Sequence, residues 1–197
     1  MGRICAAWRT IEEVRLEYRS ICSAIDRISE EIADNVNLAP CSYFERLLIA
    51  GEDHRFHGHC GVDPFALTGA LFSCIAGKPR GGSTIAMQIV RTLSDRREKT
   101  VSRKCREMIL ATLITRVEGR EYLPTIYLWV AYYGWKMNSF TEACTYLKIQ
   151  PLTPSSFEAA ALIARLKYPQ PKEVGSRRAE QIRARALYLI DLEAKLR

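Results

Sequence analysis

All three histidines of this chain, His54, His57 and His59, fall within six residues in the stretch "GEDHRFHGHCGVD", with Cys60 directly after them and Glu52 and Asp53 directly before. Side chains of these types either bind a metal or move protons. For zinc the spacing is poor. Helical zinc sites favour HxxxH, which puts both rings on one face, and His59 leaves the face that His54 and His57 can share. The acid/base alternative rests on Glu52, which follows the apolar run "LLIAG". A carboxyl held against apolar walls has its charged form disfavoured and its pKa raised, as a general base or acid requires. The plainer reading of Glu52 is a surface carboxylate at a helix end.

Two further segments carry chemistry. "GKPRGGST", residues 77–84, places Gly81 and Gly82 before two hydroxyls, Ser83 and Thr84. Such a loop admits close backbone approach and offers oxygens to a phosphate or sugar. Ser83 or Thr84 also suits the cap of the helix that follows. In "SRKCREM", Glu107 lies three residues beyond Lys104 and so on the same helix face. With Arg103 the three form either a solvent-exposed salt bridge or an anion site, since an arginine fork suits phosphate and lysine acts as a point charge.

The elements that must position these residues read as helices. In residues 10–33, Ile11, Val14, Tyr18, Ile21, Ile25, Ile28 and Ile32 recur in steps of three and four among mixed charges, which makes one apolar stripe. That stripe docks on its own domain, on a coiled-coil partner or on a lipid surface. "SYFERLLIAGEDHRF" reads as a helix running into the histidines, "TIAMQIVRTL" as a helix capped from the preceding loop, and "SRKCREMILATLITRVEG" as a helix ending near Gly119. Pro124 stands in a permitted first-turn position. Ser155 with Glu158 forms a capping box for the next helix, and "SRRAEQIRARALYLIDLEAKL" closes the chain as another. No alternating strand pattern, repeat or low-complexity segment occurs, so the fold class is mainly α.

Composition narrows the class further. The chain has 197 residues, 48% hydrophobic and 26% charged, with a net charge of +7. That suits one domain, or one domain with a lobe, and a basic surface drawn to polyanions. The seven cysteines show no CxxC pair, and most read as reduced, buried residues rather than as a zinc ribbon or disulfide framework. No secretory signal is visible. "FALTGALFSCIAG", residues 65–77, is the longest apolar stretch but falls short of the roughly 18 residues of a membrane span. It is a buried helix or one that dips into a membrane surface.

The order of segments resembles glycosyltransferase family 51, the peptidoglycan transglycosylases found in penicillin-binding proteins and as monofunctional enzymes. The family's first motif, ED-x-x-F-x-x-H-x-G-x-D, is matched by Glu52, Asp53, Phe56, His59, Gly61 and Asp63. The second, G-x-S-T-I-x-Q-Q-x-x-K-N, is matched by Gly81, Ser83, Thr84, Ile85 and Gln88, and the third, R-K-x-x-E, by Arg103, Lys104 and Glu107. The fifth, an E-A-A-x-L-A stretch before a proline, is matched by Glu158, Ala159, Ala160, Leu162, Ala164 and Pro169, so the likeness runs over about residues 40–190. This chain departs at Met87, Arg91 and Thr92 in the second motif, at Lys99, where arginine is usual, and at Arg120 and Trp129 in the fourth. Positive charge is kept at the basic positions while neutral polar groups are lost.

The resemblance implies a lysozyme-like domain with a smaller membrane-facing lobe. It implies that lipid II is polymerised into β-1,4 glycan strands by inverting displacement of undecaprenyl diphosphate. Glu52 is then the base, Glu107 the second essential carboxylate, and Ser83, Thr84, Gln88, Arg91, Lys99, Arg103 and Lys104 bind the diphosphate-bearing substrate. Asp53, Phe56, His59, Gly61 and Asp63 hold the first motif together, with no metal on the histidines. A divalent cation such as Mg or Mn near the diphosphate is the one cofactor the family suggests. The implied partners are lipid II, the growing glycan, the membrane surface and other cell-wall synthesis proteins, and not nucleic acid. The family works at the outer, periplasmic face of the cytoplasmic membrane and normally has an anchor. The expected division is therefore an N-terminal amphipathic helix, residues 1–36, in the anchor's place and a transglycosylase domain over 37–197. Either the natural start lies upstream or the chain reaches lipid by its surface. A degenerate, non-catalytic module binding lipid II or its diphosphate is the alternative. A lysozyme-like hydrolase is a third reading, but nothing in the sequence marks the leaving-group acid it would need.

Overall fold

The computed structural model describes residues 2–75, 77, 81–94, 100–173 and 175–196, with residues 2–10, 71, 74 and 75 described by their backbone alone. Nine α-helices lie among the described residues: α1 (Gly2–Asp34), α2 (Ser42–Glu52), α3 (Pro64–Ile75), α4 (Ile85–Leu93), α5 (Val101–Val117), α6 (Leu123–Val130), α7 (Phe140–Leu147), α8 (Ser156–Lys167) and α9 (Ser176–Leu196). Short 3-10 turns stand at Val36–Leu38, Phe56–Gly58 and Arg120–Tyr122. No strand occurs among the described residues, only isolated bridges from Gly134 to Met137 and to Gln170. The fold is mainly α, as the periodicities require.

Most boundaries follow from capping chemistry. Thr84 accepts from the Met87 N–H to start α4, Thr100 from the Arg103 N–H to start α5, and Ser155 and Glu158 form the reciprocal box that starts α8. Gly119, at φ 84°, turns the chain away after α5. One expectation is corrected. The helix leading into the histidines stops at Glu52, because Asp53 leaves helical geometry at φ −154° and ψ 59°. Asp53 and Phe56 are both buried there, so the chain turns to bring them inward rather than continuing along the helix axis.

The chain forms two compact units: Met1–Ser29 with Phe56–Leu123, and Glu30–Arg55 with Pro124–Arg197. In the first, Ile21 and Ile25 of the α1 stripe, Ile85, Met87 and Ile89 of α4 and Leu110 and Ile114 of α5 are buried, and α4 packs along α5. In the second, α2, α8 and α9 pack together, and Phe44 meets Phe140 edge to face at 5.0 Å between ring centres. Each unit thus has its own apolar core. No helix of the described residues is long and apolar enough to cross a membrane.

Candidate active site

The strongest concentration of charge lies on α5 in the first unit. Glu107 is buried, its side chain 2% exposed, and three cations converge on it. Arg91 of α4 donates from Nη2 to Oε1 at 2.9 Å, Lys104 from Nζ to the same oxygen at 2.9 Å, and Arg103 from Nη1 to Oε2 at 2.5 Å. The spacing of 103, 104 and 107 places those three on one helix face. Arg91 reaches them because α4 lies alongside. Ser83 joins the group, its Oγ accepting from Lys104 Nζ at 2.9 Å and from Arg91 Nη2 at 3.2 Å. Burial pushes the Glu107 carboxyl up, but hydrogen bonds from Arg91 and Lys104, and their charges, outweigh it and hold the group below its ordinary value. Burial pulls the Lys104 ammonium below its ordinary value, against the stabilising bond it gives to Glu107. Three cations thus share the one carboxylate of Glu107. Such an arrangement can receive an anion, with its donors pre-oriented by the central glutamate.

Around it, the motif residues serve the scaffold. The Thr84 hydroxyl donates to the Gly61 carbonyl at 2.6 Å while accepting from Met87, and it is buried. Ser83 is therefore the hydroxyl of the pair that meets the cations. Gly61, at φ 94°, lies so close to α5 that a Cβ would stand 2.3 Å from the Ala111 carbonyl oxygen. Only glycine satisfies both demands. His59 Nδ1 accepts from the Gly61 N–H at 3.2 Å, and buried Asp63 caps α3 by accepting from the Phe65 and Ala66 N–H groups. His57 is exposed, and its carbonyl accepts from Arg120. His54 is also exposed. No group of three or more His, Cys, Asp and Glu able to hold a metal occurs among the described residues.

The second unit holds Glu52, the last residue of α2, 21% exposed. Arg185 of α9 donates to the Gly51 carbonyl at 2.8 Å and lies 3.5 Å from Glu52 Oε1. The apolar surroundings expected for Glu52 are thus interrupted by a guanidinium. Gly51 permits this approach: a Cβ there would fall 2.4 Å from Leu189 Cδ2 and 3.2 Å from Arg185 Nη2.

The remaining positions divide as follows. Gln88 is half-buried on α4, and Lys99 lies outside the described residues. Met87 and Trp129, which stand where the resembled motifs have polar groups, are packed in apolar cores. Thr92 donates its hydroxyl to the Gln88 carbonyl. The donor set around Glu107 does not suit a divalent ion, because both carboxylate oxygens already receive cationic N–H groups.

Comparison with known proteins settles the family. The model described as Transglycosylase matches residues 21–192. The chain belongs to the transglycosylase family. Among relatives of this transglycosylase chain, penicillin-binding protein 1F of Bacillus subtilis is 31% identical over 172 residues, 81% of this chain and 24% of that protein. Penicillin-binding protein 1A of Haemophilus influenzae is 32% identical over 120 residues, 60% of this chain and 14% of that protein. A monofunctional glycosyltransferase of Staphylococcus epidermidis is 33% identical over 94 residues, 47% of this chain and 35% of that protein. The chain therefore spans about a third or less of the length of these relatives. Two residues of this transglycosylase escaped the motif reading: Arg185, which holds the turn at Glu52 from 133 positions away, and Arg106, beside Glu107. Neither carries a local spacing signal.

Proposed function

We propose that the chain is a peptidoglycan glycosyltransferase that polymerises lipid II by inverting displacement of undecaprenyl diphosphate. The observation that carries this reading is the convergence of Arg91, Arg103, Lys104 and Ser83 on buried Glu107 in a transglycosylase-family chain. A diphosphate leaving group needs fixed positive charge rather than a protonating acid, because the charge it gains as the anomeric C–O bond breaks is already dispersed over phosphate oxygens. The three cations meet that need, and Glu107 orients them while remaining ionised. Gln88 and Lys99 are assigned to the same substrate.

Glu52 is assigned the other half of the chemistry. The acceptor hydroxyl attacks the donor's anomeric carbon from the face opposite the diphosphate, and the configuration inverts. Its proton passes to the Glu52 carboxylate as the new β-1,4 bond forms. A sugar hydroxyl is too weakly acidic to ionise beforehand, so the base acts within the transition state. Arg185 supports this role by fixing the turn that presents Glu52. Exposed Phe65 and Phe72 on α3 fit a membrane-surface contact at the outer face of the cytoplasmic membrane, where lipid II is consumed.

A second reading, a non-catalytic module that binds lipid II, draws on Met87 and Trp129, which place apolar groups at positions of the substrate motifs. Lipid II polymerisation by the purified chain, beside Glu52→Gln and Glu107→Gln, separates the two. Glycan product from the native chain and none from Glu52→Gln is expected. Lipid II binding without product from the native chain would select the second reading.

A further inference from the structure

Arg106 adjoins Glu107 in sequence but faces a different helix. Its guanidinium donates from Nη2 to Glu13 Oε2 at 3.0 Å and from Nη1 to Glu17 Oε2 at 3.2 Å, both on α1. Glu13 and Glu17 are four residues apart, so they share one face and hold the two ends of a single fork. Arg106 and Glu17 are each only 12% exposed, which separates this contact from a solvent-screened surface pair. The hydrogen bond it gives to Glu13 and then that to Glu17 keep the guanidinium pKa above its ordinary value, against burial. Glu17, Arg106, Arg103 and Glu107 also line one narrow gap together with Val90 and Ser94. The α1 contact therefore backs directly onto the cation cluster. Arg103, which gives Nη1 to Glu107, has a buried Nε with no partner among the described residues. Its setting depends on how α5 is held. Glu13 and Glu17 precede residues 21–192, the span that matches the family.

We propose that Arg106 is a positioning residue: clamped by Glu13 and Glu17, it fixes the setting of α5 and through it the anion-binding geometry of Arg103 and Lys104. The amphipathic helix α1 is on this account a brace of the diphosphate site, whatever else its exposed residues Ile11 and Leu16 contact. The inference rests on the reading of the cluster as a diphosphate site, and the test keeps the two apart.

The double variant Glu13→Gln/Glu17→Gln removes the clamp's charge at positions on the outer helix and keeps side-chain shape. Arg106→Lys retains the charge but loses the fork. Amide hydrogen exchange over residues 104–110, measured without ligand on the full chain, is expected to quicken about tenfold in the double variant and less in Arg106→Lys. Exchange in α8 and α9 stays unchanged. Inorganic pyrophosphate, titrated calorimetrically, is expected to bind the double variant several-fold more weakly than the native chain. Unchanged exchange in 104–110, or a uniform rise in every helix, overturns the brace. Faster local exchange with unaltered pyrophosphate affinity overturns the positioning role. Failure of the native chain to bind pyrophosphate overturns the diphosphate reading, while the exchange comparison still decides the brace.

Discussion

Each of the two compact units sets one glutamate of the resembled motifs against arginine, and the two are held in opposite ways. Glu107 lies within a helix, almost fully buried, under three cations at 2.5–2.9 Å. Glu52 ends a helix, keeps a fifth of its side-chain surface exposed and has Arg185 at the limit of hydrogen-bond distance. A carboxylate gripped on both oxygens cannot take a proton without breaking its neighbours' bonds. It is a fixed charge that organises cations. A carboxylate at a helix end with a fifth of its surface exposed keeps more of the reach that the proposed base requires. Packing and hydrogen bonding, rather than residue type, separate the two proposed roles.

The largest expected effect tests that separation. Glu52→Gln is expected to lower glycan formation by about 10²–10⁴-fold while leaving lipid II binding within a factor of a few. A comparable loss of binding, read in the same assay series, would put Glu52 among the binding groups and break the contrast. Next comes the scaffold of the first unit. Gly61→Ala forces an L side chain into positive φ and against the Ala111 carbonyl, a loss of about 3 kcal/mol in urea unfolding.

Glu107→Gln is expected to destabilise the chain by about 2 kcal/mol at neutral pH, because three partly exposed cations lose their common partner. Its pH dependence sharpens the comparison. The folded pKa of Glu107 lies below its ordinary value of 4.5. Its contribution is therefore complete above 4.5 and lost as the pH falls through the lower folded value. The stability gap between native and variant chains should be flat through neutral pH and close in acid. A gap that persists unchanged at the acid end would mean that charge is not what Glu107 supplies. The smallest effect belongs to the second unit. Gly51→Ala meets the flexible end of Leu189 rather than backbone, so about 1 kcal/mol is expected from chemical denaturation. A cost equal to that of Gly61→Ala would erase the distinction between the two turns.

Local chemistry was largely readable from sequence. The caps at Thr84 and Ser155, the stop at Gly119 and the shared face of Lys104 and Glu107 depend on neighbours within four positions, and all appear as expected. The α7 helix was missed, although Ser139 followed three residues later by Glu142 carries the same cap spacing. Its short run of eight residues gives little periodicity to read. What spacing cannot encode is partnership across helices. Arg91 finds Glu107 from 16 positions away, Arg106 finds Glu17 from 89 and Arg185 finds Glu52 from 133. Each pairing exists only because apolar faces elsewhere bring two helices side by side. The motif letters do not say that Thr84 and Asp63 bond to the backbone while Ser83 meets the cations.

The contacts of Gly61 also bear on the order of assembly. Its carbonyl takes the Thr84 hydroxyl from 23 residues downstream, and its Cα rests on Ala111, 50 residues away. Neither contact exists until α4 and α5 have docked. Both contacts join segments far apart in sequence, and such pairings must meet the entropy of loop closure before they are rewarded. Interactions absent from the transition state govern unfolding far more than folding. The turn that displays the family's first motif is thus expected to act as a latch, and stopped-flow kinetics of Gly61→Ala check it: unfolding should quicken more than folding slows.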